Sequence, residues 1–310
     1  MTNPCEFRSG RKDFRAGPLS HAIRLLLPLL LLLLVSAPLR ASSLLWKITG
    51  AGGGELYILG SIHVGTPDMY PLNPEIYDAF AGAGRLVVEL EDETMENSPG
   101  VVRQIMSKGF YPGGETLMSH LNERQRELLE PFLAFLPLGE KSNMKPWLAA
   151  VTLDVIMLNK LGYTSSYGVD QHFEELAQER GIPVESLETA EEQLSLFLNL
   201  PEADSLLFLE SSLIELGEVD DFMGQVVNAW RKGDEGEFSK AFFEAYDRWP
   251  KLKPLLDKVI YDRNEVMYER LLAYLESGGT TFAVIGSGHV VTERGIPGLF
   301  KAGGYQVEKF

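Results

Sequence analysis

A single cysteine, Cys5, is all the thiol chemistry that this 310-residue sequence offers. That scarcity rules out a disulfide framework. If the first 41 residues are removed, it also rules out a cysteine nucleophile, a thiolate metal ligand and a lipid-modified cysteine. Positive charge is thin as well: 28 Lys and Arg stand against 44 Asp and Glu, a formal net of −16. A surface of that sign repels phosphate backbones and argues against nucleic-acid binding. Histidine is rare, with five in the chain. Ser61 and Ser287 sit in Gly-Ser-x-His settings rather than the Gly-x-Ser-x-Gly elbow of serine hydrolases, which argues against a serine nucleophile. What remains, 45% hydrophobic and 23% charged residues, is the composition of an ordinary globular core.

The one long apolar run lies at the N-terminus. Leu25–Leu39 is nearly all leucine and follows Arg8, Arg11, Lys12, Arg15 and Arg24. At roughly 15 residues it falls short of the roughly 20 that span a bilayer. A basic start, a short apolar stretch and small residues after it predict a secretory signal over residues 1–41, cut near Ala41. The expected location is across the inner membrane, in the periplasm; an uncleaved anchor, the one membrane contact expected, is the alternative. Six of the basic and two of the acidic residues lie in that segment. The remaining 42–310 therefore hold 22 against 42, a formal net of −20.

Along 42–310, Trp46–Thr49 and Leu56–Leu59 read as strands of a hairpin joined by a glycine-rich turn. A short helix near Glu75–Ala81 and a strand over Arg85–Leu90 complete a strand–helix–strand pattern typical of a parallel crossover. The middle reads as helices: 122–135, 147–161, 170–180 with Asp170 as N-cap, 188–198, 203–216, 220–232, 235–249 and 255–276. A short strand over 182–187 interrupts them. Strands return at Thr280–Ile285 and Tyr305–Phe310, flanking a helix at Ile296–Ala302. The predicted fold is an α/β domain whose mixed sheet is formed by N- and C-terminal segments, with a largely helical subregion over about 100–275.

Two distant segments match. Leu59-Gly60-Ser61-Ile62-His63-Val64 and Ile285-Gly286-Ser287-Gly288-His289-Val290 each place a histidine three residues after a glycine that ends an apolar strand. In α/β sheets ligands bind outside the carboxyl ends of strands, so two such strands can bring two imidazoles to one crevice. Imidazole is the commonest side-chain metal ligand and an acid/base near neutral pH. The third strand acquires acids at its own end, Glu89 and Glu91, and a carboxylate there rarely serves the core. Two histidines and one carboxylate make a three-ligand metal site with open positions. His120 and His172 read as surface or capping residues beside helix starts.

These residues resemble the TraB/GumN family, which is related to the Tiki metalloproteases and more distantly to erythromycin-esterase-like and ChaN-like haem-binding proteins. The resemblance rests on Gly60-Ser61-Ile62-His63, Gly286-Ser287-Gly288-His289 and Glu89. It is supported by Lys145-Pro146-Trp147, Gly168-Val169-Asp170, Leu187-Glu188-Thr189 with Gln193, Asp262-Arg263-Asn264 and Gly304-Tyr305-Gln306-Val307. One departure is Thr292, which stands where relatives usually have glycine. The resemblance implies metal-dependent hydrolysis of peptides. His63, Glu89 and His289 would hold a divalent ion (manganese, cobalt or zinc), and Glu91 and Arg263 would take catalytic roles. Asp170, Glu188 and Asn264 would support the ligands. The substrate expected is a peptide or protein. A non-catalytic metal-, haem- or peptide-binding protein of the same fold is the alternative.

Overall fold

The computed structural model describes residues 42–90 and 98–310. Six strands form one mixed sheet: β1 (Leu45–Thr49), β2 (Glu55–Ser61), β3 (Arg85–Val88), β4 (Val184–Ser186), β5 (Thr280–Gly286) and β6 (Gln306–Lys309). Their order is β4-β3-β5-β2-β1-β6. β1 pairs antiparallel with β2 and β6, whereas β5 runs parallel to both β2 and β3, and β3 parallel to β4. The hairpin turns at Gly53, whose φ of +83° is open to glycine at little cost.

The crossover from β2 through the helix Pro74–Ala81 does lead to a parallel strand. That strand is not a neighbour, because β5 inserts between β2 and β3. Chain ends and chain start thus share the centre of the sheet. Six consecutive residues of β5 are buried, so both faces of this strand are covered, as parallel strands require. Phe282 of β5 meets Phe80 at 5.4 Å and Phe173 at 5.0 Å between ring centroids, which ties the helices Pro74–Ala81 and Val169–Arg180 to the sheet. The buried face of the helix Arg263–Glu276 supplies Met267, Leu271 and Leu275 to the same core.

The middle of the chain is helical, with a separate apolar cluster. Ala149, Ala150 and Leu153 from the helix Pro146–Lys160 meet Leu209 and Leu213 from the helix Glu202–Leu216. Observed helix ends fall within a few residues of the expected ones in most cases, and the exceptions include the following four. A helix at Pro99–Lys108, capped by Ser98, was not expected. The segment expected as one helix over 122–135 is α-helical only to Leu129 and continues as a 3-10 helix over Glu130–Phe135, where Pro131 lacks the N–H an α-helix needs.

The N-cap of Val169–Arg180 is Gly168, not Asp170; Asp170 sits in the first turn with its side chain bonded elsewhere. The long helix expected over 255–276 is interrupted by a π-helical turn at Lys258–Asp262. Residues 1–41 and Glu91 lie outside the described residues, so the expected signal segment and that carboxylate have no structural account. No described helix is long and apolar enough to cross a membrane.

Candidate functional site

Strand register assembles the site. Ser61 of β2 pairs with Gly286 of β5, and Val88 of β3 pairs with Val284. The two glycine-x-x-histidine segments therefore leave adjacent parallel strands at nearly the same level. Glu89, one residue past β3, arrives beside the end of β5, where the Gly286 N–H donates to its Oε2 at 3.2 Å. His63 Nε2 lies 3.7 Å and His289 Nε2 4.0 Å from that same oxygen. A Cβ on Gly286 would fall 2.8 Å from His63 Nε2 and 3.2 Å from Glu89 Oε2, so only glycine leaves this space free. The His63 side chain is 57% exposed and that of His289 only 5%, which makes His63 the solvent-facing member.

The far nitrogen of each ring is held by a different partner. His63 Nδ1 lies 2.9 Å from Asp170 Oδ2, while Asp170 Oδ1 accepts from the Ser61 hydroxyl at 2.9 Å. His289 Nδ1 lies 2.7 Å from Asn264 Oδ1, and the Asn264 amide donates to the Arg294 carbonyl at 2.9 Å. The partners differ in charge, and the rings differ accordingly. The Asp170 carboxylate raises the pKa of His63 far above its ordinary value. Burial lowers that of His289 to about 4 and keeps the ring neutral.

The other oxygen of Glu89 faces a second carboxylate. Arg263 Nη2 donates to Glu89 Oε1 and also to Glu188 Oε2, and Arg263 Nε donates to Glu188 Oε1 at 3.0 Å. Gln193 Nε2 donates to Glu89 Oε1 and to Glu188 Oε2, each at 3.1 Å. Glu89 and Glu188 descend from the neighbouring strands β3 and β4, and the Glu188 N–H donates to the Glu89 carbonyl at 3.0 Å. Burial alone would raise the Glu89 carboxyl; His289, His63 and Arg263 reverse this and leave it below the usual carboxylate range. Burial opposes the charge on Arg263, but its bonds to Glu188 and Glu89 more than offset that and raise its pKa.

Of the residues singled out from sequence, His63, Glu89, His289, Asp170, Glu188, Asn264 and Arg263 form one connected cluster. His120 is elsewhere, stacked on Tyr111 and bridging Glu115 and Glu202, and His172 packs between Tyr70 and Tyr77. Gln193 was a matched position without a role; its side chain completes the Glu89–Glu188 pair. The cavity of about 310 Å³ at Leu44, Leu59, Met69, Leu72 and Trp230 is lined by none of these cluster side chains.

The chemistry of the donor set suits a divalent cation: two imidazole Nε2 atoms and a carboxylate oxygen face each other across a glycine cradle. The Nδ1 atoms are fixed by outer partners in the way metal-bound histidines usually are. The side chains stand apart, however. Among the described residues no three His, Cys, Asp or Glu side chains are grouped closely enough to hold a metal ion. Without such an ion, the same atoms form a hydrogen-bonded acid/base cluster.

The family model described as TraB/PrgY/gumN family matches residues 44–309 of the chain. Similar proteins include the uncharacterized protein YbaP of Escherichia coli (strain K12), 24% identical over 270 residues, covering 86% of this chain and 96% of the relative. YbaP of Shigella flexneri matches to the same extent. An uncharacterized protein of Treponema pallidum (strain Nichols) is 27% identical over 184 residues, 58% of this chain and 54% of its own length. No solved structure matches the chain.

Proposed function

The chain belongs to the TraB/PrgY/gumN family, and from that premise we propose that it is an exported metal-dependent hydrolase acting on peptide bonds. The observation that carries the proposal is the approach of two histidine Nε2 atoms, from strands more than 200 residues apart in sequence, to the single oxygen Glu89 Oε2. His63, His289 and Glu89 would hold a divalent ion, with manganese, cobalt or zinc as candidates. Bound there, such an ion lowers the pKa of a water molecule and polarises a carbonyl.

The protein residues have separable tasks. Asp170 holds His63 with Nε2 toward the opening, and Asn264 holds His289 in the interior. Arg263 keeps Glu89 ionised and ties down one of its oxygens. Glu91 remains a proposed proton acceptor on the strength of its place two residues beyond Glu89. Export follows from the basic and apolar pattern of residues 1–41, and the excess of acid in the rest of the chain suits a soluble protein that draws cations toward its surface.

The test is metal content of the purified chain, wild type against His63→Ala combined with His289→Ala. The proposal expects bound metal in the first and little in the second; equal content in both would sink it. Peptidase assays with added manganese, cobalt or zinc then measure turnover. The second reading, binding without turnover, is favoured by two observations: His289 is almost wholly buried and Arg263 already occupies one Glu89 oxygen. Wild type that binds metal yet cleaves no peptide under any of the three ions would select it.

A further inference from the structure

We propose that Gln193 is the positioning residue that anchors Glu89 while leaving the site negatively charged. The proposal rests on the cation-binding reading above and goes beyond it in assigning why a neutral amide stands at this place.

Glu89 and Glu188 are each 6% exposed and start from adjacent parallel strands at the same level. Two carboxylates so placed repel one another, and one guanidinium, that of Arg263, stands between them. Two negative charges against one positive leave the pair with a net negative charge. Glu89 Oε1 and Glu188 Oε2 each accept from Arg263 Nη2 and, as carboxylate oxygens, can take further donors. The Gln193 amide nitrogen provides them, with one contact of 3.1 Å to Glu89 Oε1 and one of 3.1 Å to Glu188 Oε2. An amide has two N–H donors and no charge, so both contacts are made without neutralising the pair.

The consequence falls on the opposite oxygen. With Oε1 tied to Arg263 and Gln193, the carboxylate plane of Glu89 is set, and Oε2 is left to the Gly286 N–H and the two imidazoles. The backbone supports this placement. Gln193 lies on the helix Ala190–Leu198, whose first turn is closed by a capping box between Thr189 and Glu192. Glu192 is held in turn by Arg270, which also donates to the Leu187 carbonyl at the end of β4. The helix that carries Gln193 and the strand that carries Glu188 are therefore joined by a common clamp, and the amide has little freedom to turn away.

Three variants of the full chain separate the donor from the charge: Gln193→Met keeps the length and removes the donors, Gln193→Lys keeps a donor and adds a charge, and Gln193→Leu removes the donors in a shorter apolar side chain. The measurement is Mn²⁺ affinity by titration calorimetry on metal-stripped protein, alongside unfolding midpoints without metal. Supporting groups behind a metal ligand typically change affinity 10–100-fold. Gln193→Met should therefore bind Mn²⁺ 10–100-fold more weakly at an unfolding midpoint near that of wild type. Gln193→Lys should also bind at least tenfold more weakly, because its ammonium cancels the remaining negative charge. A merely structural amide would be replaced by the lysine donor with affinity restored, and that result overturns the proposal. So does a Gln193→Met protein within twofold of wild type. Should either of these variants fail to fold, Gln193→Leu takes its place, with the loss and the overturning result given for Gln193→Met. If wild type itself binds no Mn²⁺, the cation-binding reading fails first and this assignment with it.

Discussion

Asp170 Oδ2 lies 2.9 Å from His63 Nδ1, and its companion Oδ1 accepts from the Ser61 hydroxyl, so one carboxylate reads both positions flanking Ile62 in the first glycine-x-x-histidine segment. The equivalent position behind His289 is taken by the neutral Asn264. The two halves of the site share a backbone plan and differ in the charge of the group behind each ring. Exchanging that charge is therefore informative. Asp170→Asn should keep the hydrogen-bonding shape, leave the fold intact by circular dichroism, and weaken divalent-ion binding 10–100-fold, the usual loss when an outer partner is changed. Unaltered Mn²⁺ affinity in this variant would count against the role given to Asp170.

Among the described residues, Arg263 is the one cation bonded to both buried carboxylates. Arg263→Met would leave Glu89 and Glu188 facing each other without it, a change that costs about 3–5 kcal/mol when one partner of a buried ion pair is removed. Urea unfolding at pH 7 measures it. Adding Glu188→Gln should recover part of it. A loss under 1 kcal/mol would mean that the charges are better solvated than their burial indicates.

Asp154, in the helical subregion, is pushed up to about 6 by burial, against the pull of its 2.6 Å bond from the Ser212 hydroxyl. The folded state thus holds this proton more tightly than the unfolded chain, where the group titrates near 3.9. Its contribution to stability is fully present below about pH 4, falls between about pH 4 and about pH 6, and is lost above that. Asp154→Asn should remove this slope and make the protein more stable than wild type at pH 7, by up to about 3 kcal/mol. Chemical unfolding at several pH values reads both effects; parallel curves for the two proteins would refute the assignment. Glu215 is raised as well, by burial and by Asp154, so a residual slope in the variant is expected.

Thr292 has φ of +75°, a left-handed conformation that a β-branched residue adopts only under strain. Its hydroxyl is buried without a hydrogen-bond partner, and its N–H donates to Glu235 Oε1 at 3.3 Å. The family resemblance places a glycine at this position, and the backbone angle is one that glycine adopts freely. Thr292→Gly should stabilise the protein by about 1 kcal/mol, the strain relieved less the entropy that glycine adds to the unfolded chain. A thermal midpoint at or below that of wild type would show that the loop is held by something other than its backbone angle.

Much of the sheet was legible because burial leaves a local signature. Apolar runs such as Phe282–Ile285 mark strands covered on both faces, and the repeated glycine-x-x-histidine marks their ends. The chemical identity of the cluster was legible too, since few residue types fit such positions. Less legible were features that depend on partners far along the chain. Asp170 opens a helix and has the composition of a cap, yet Ser61 and His63 compete for its oxygens and win. The insertion of β5 between β2 and β3 has no local mark either, because a crossover pattern specifies direction and not adjacency.

The sequence by itself determined that two strand ends carry histidines, that a third carries carboxylates, that thiol chemistry is absent beyond Cys5, and that helices fill the middle. Only the tertiary structure decided which oxygen of Glu89 faces the histidines and which is tied to Arg263 and Gln193. The reason lies in the π-helical turn at Lys258–Asp262. One extra residue in a helical circuit rotates everything after it by about 100° relative to an unbroken helix. A reading based on a 3.6-residue period cannot place Arg263 and Asn264; the packed chain brings Arg263 to Glu89 and Glu188, and Asn264 to His289.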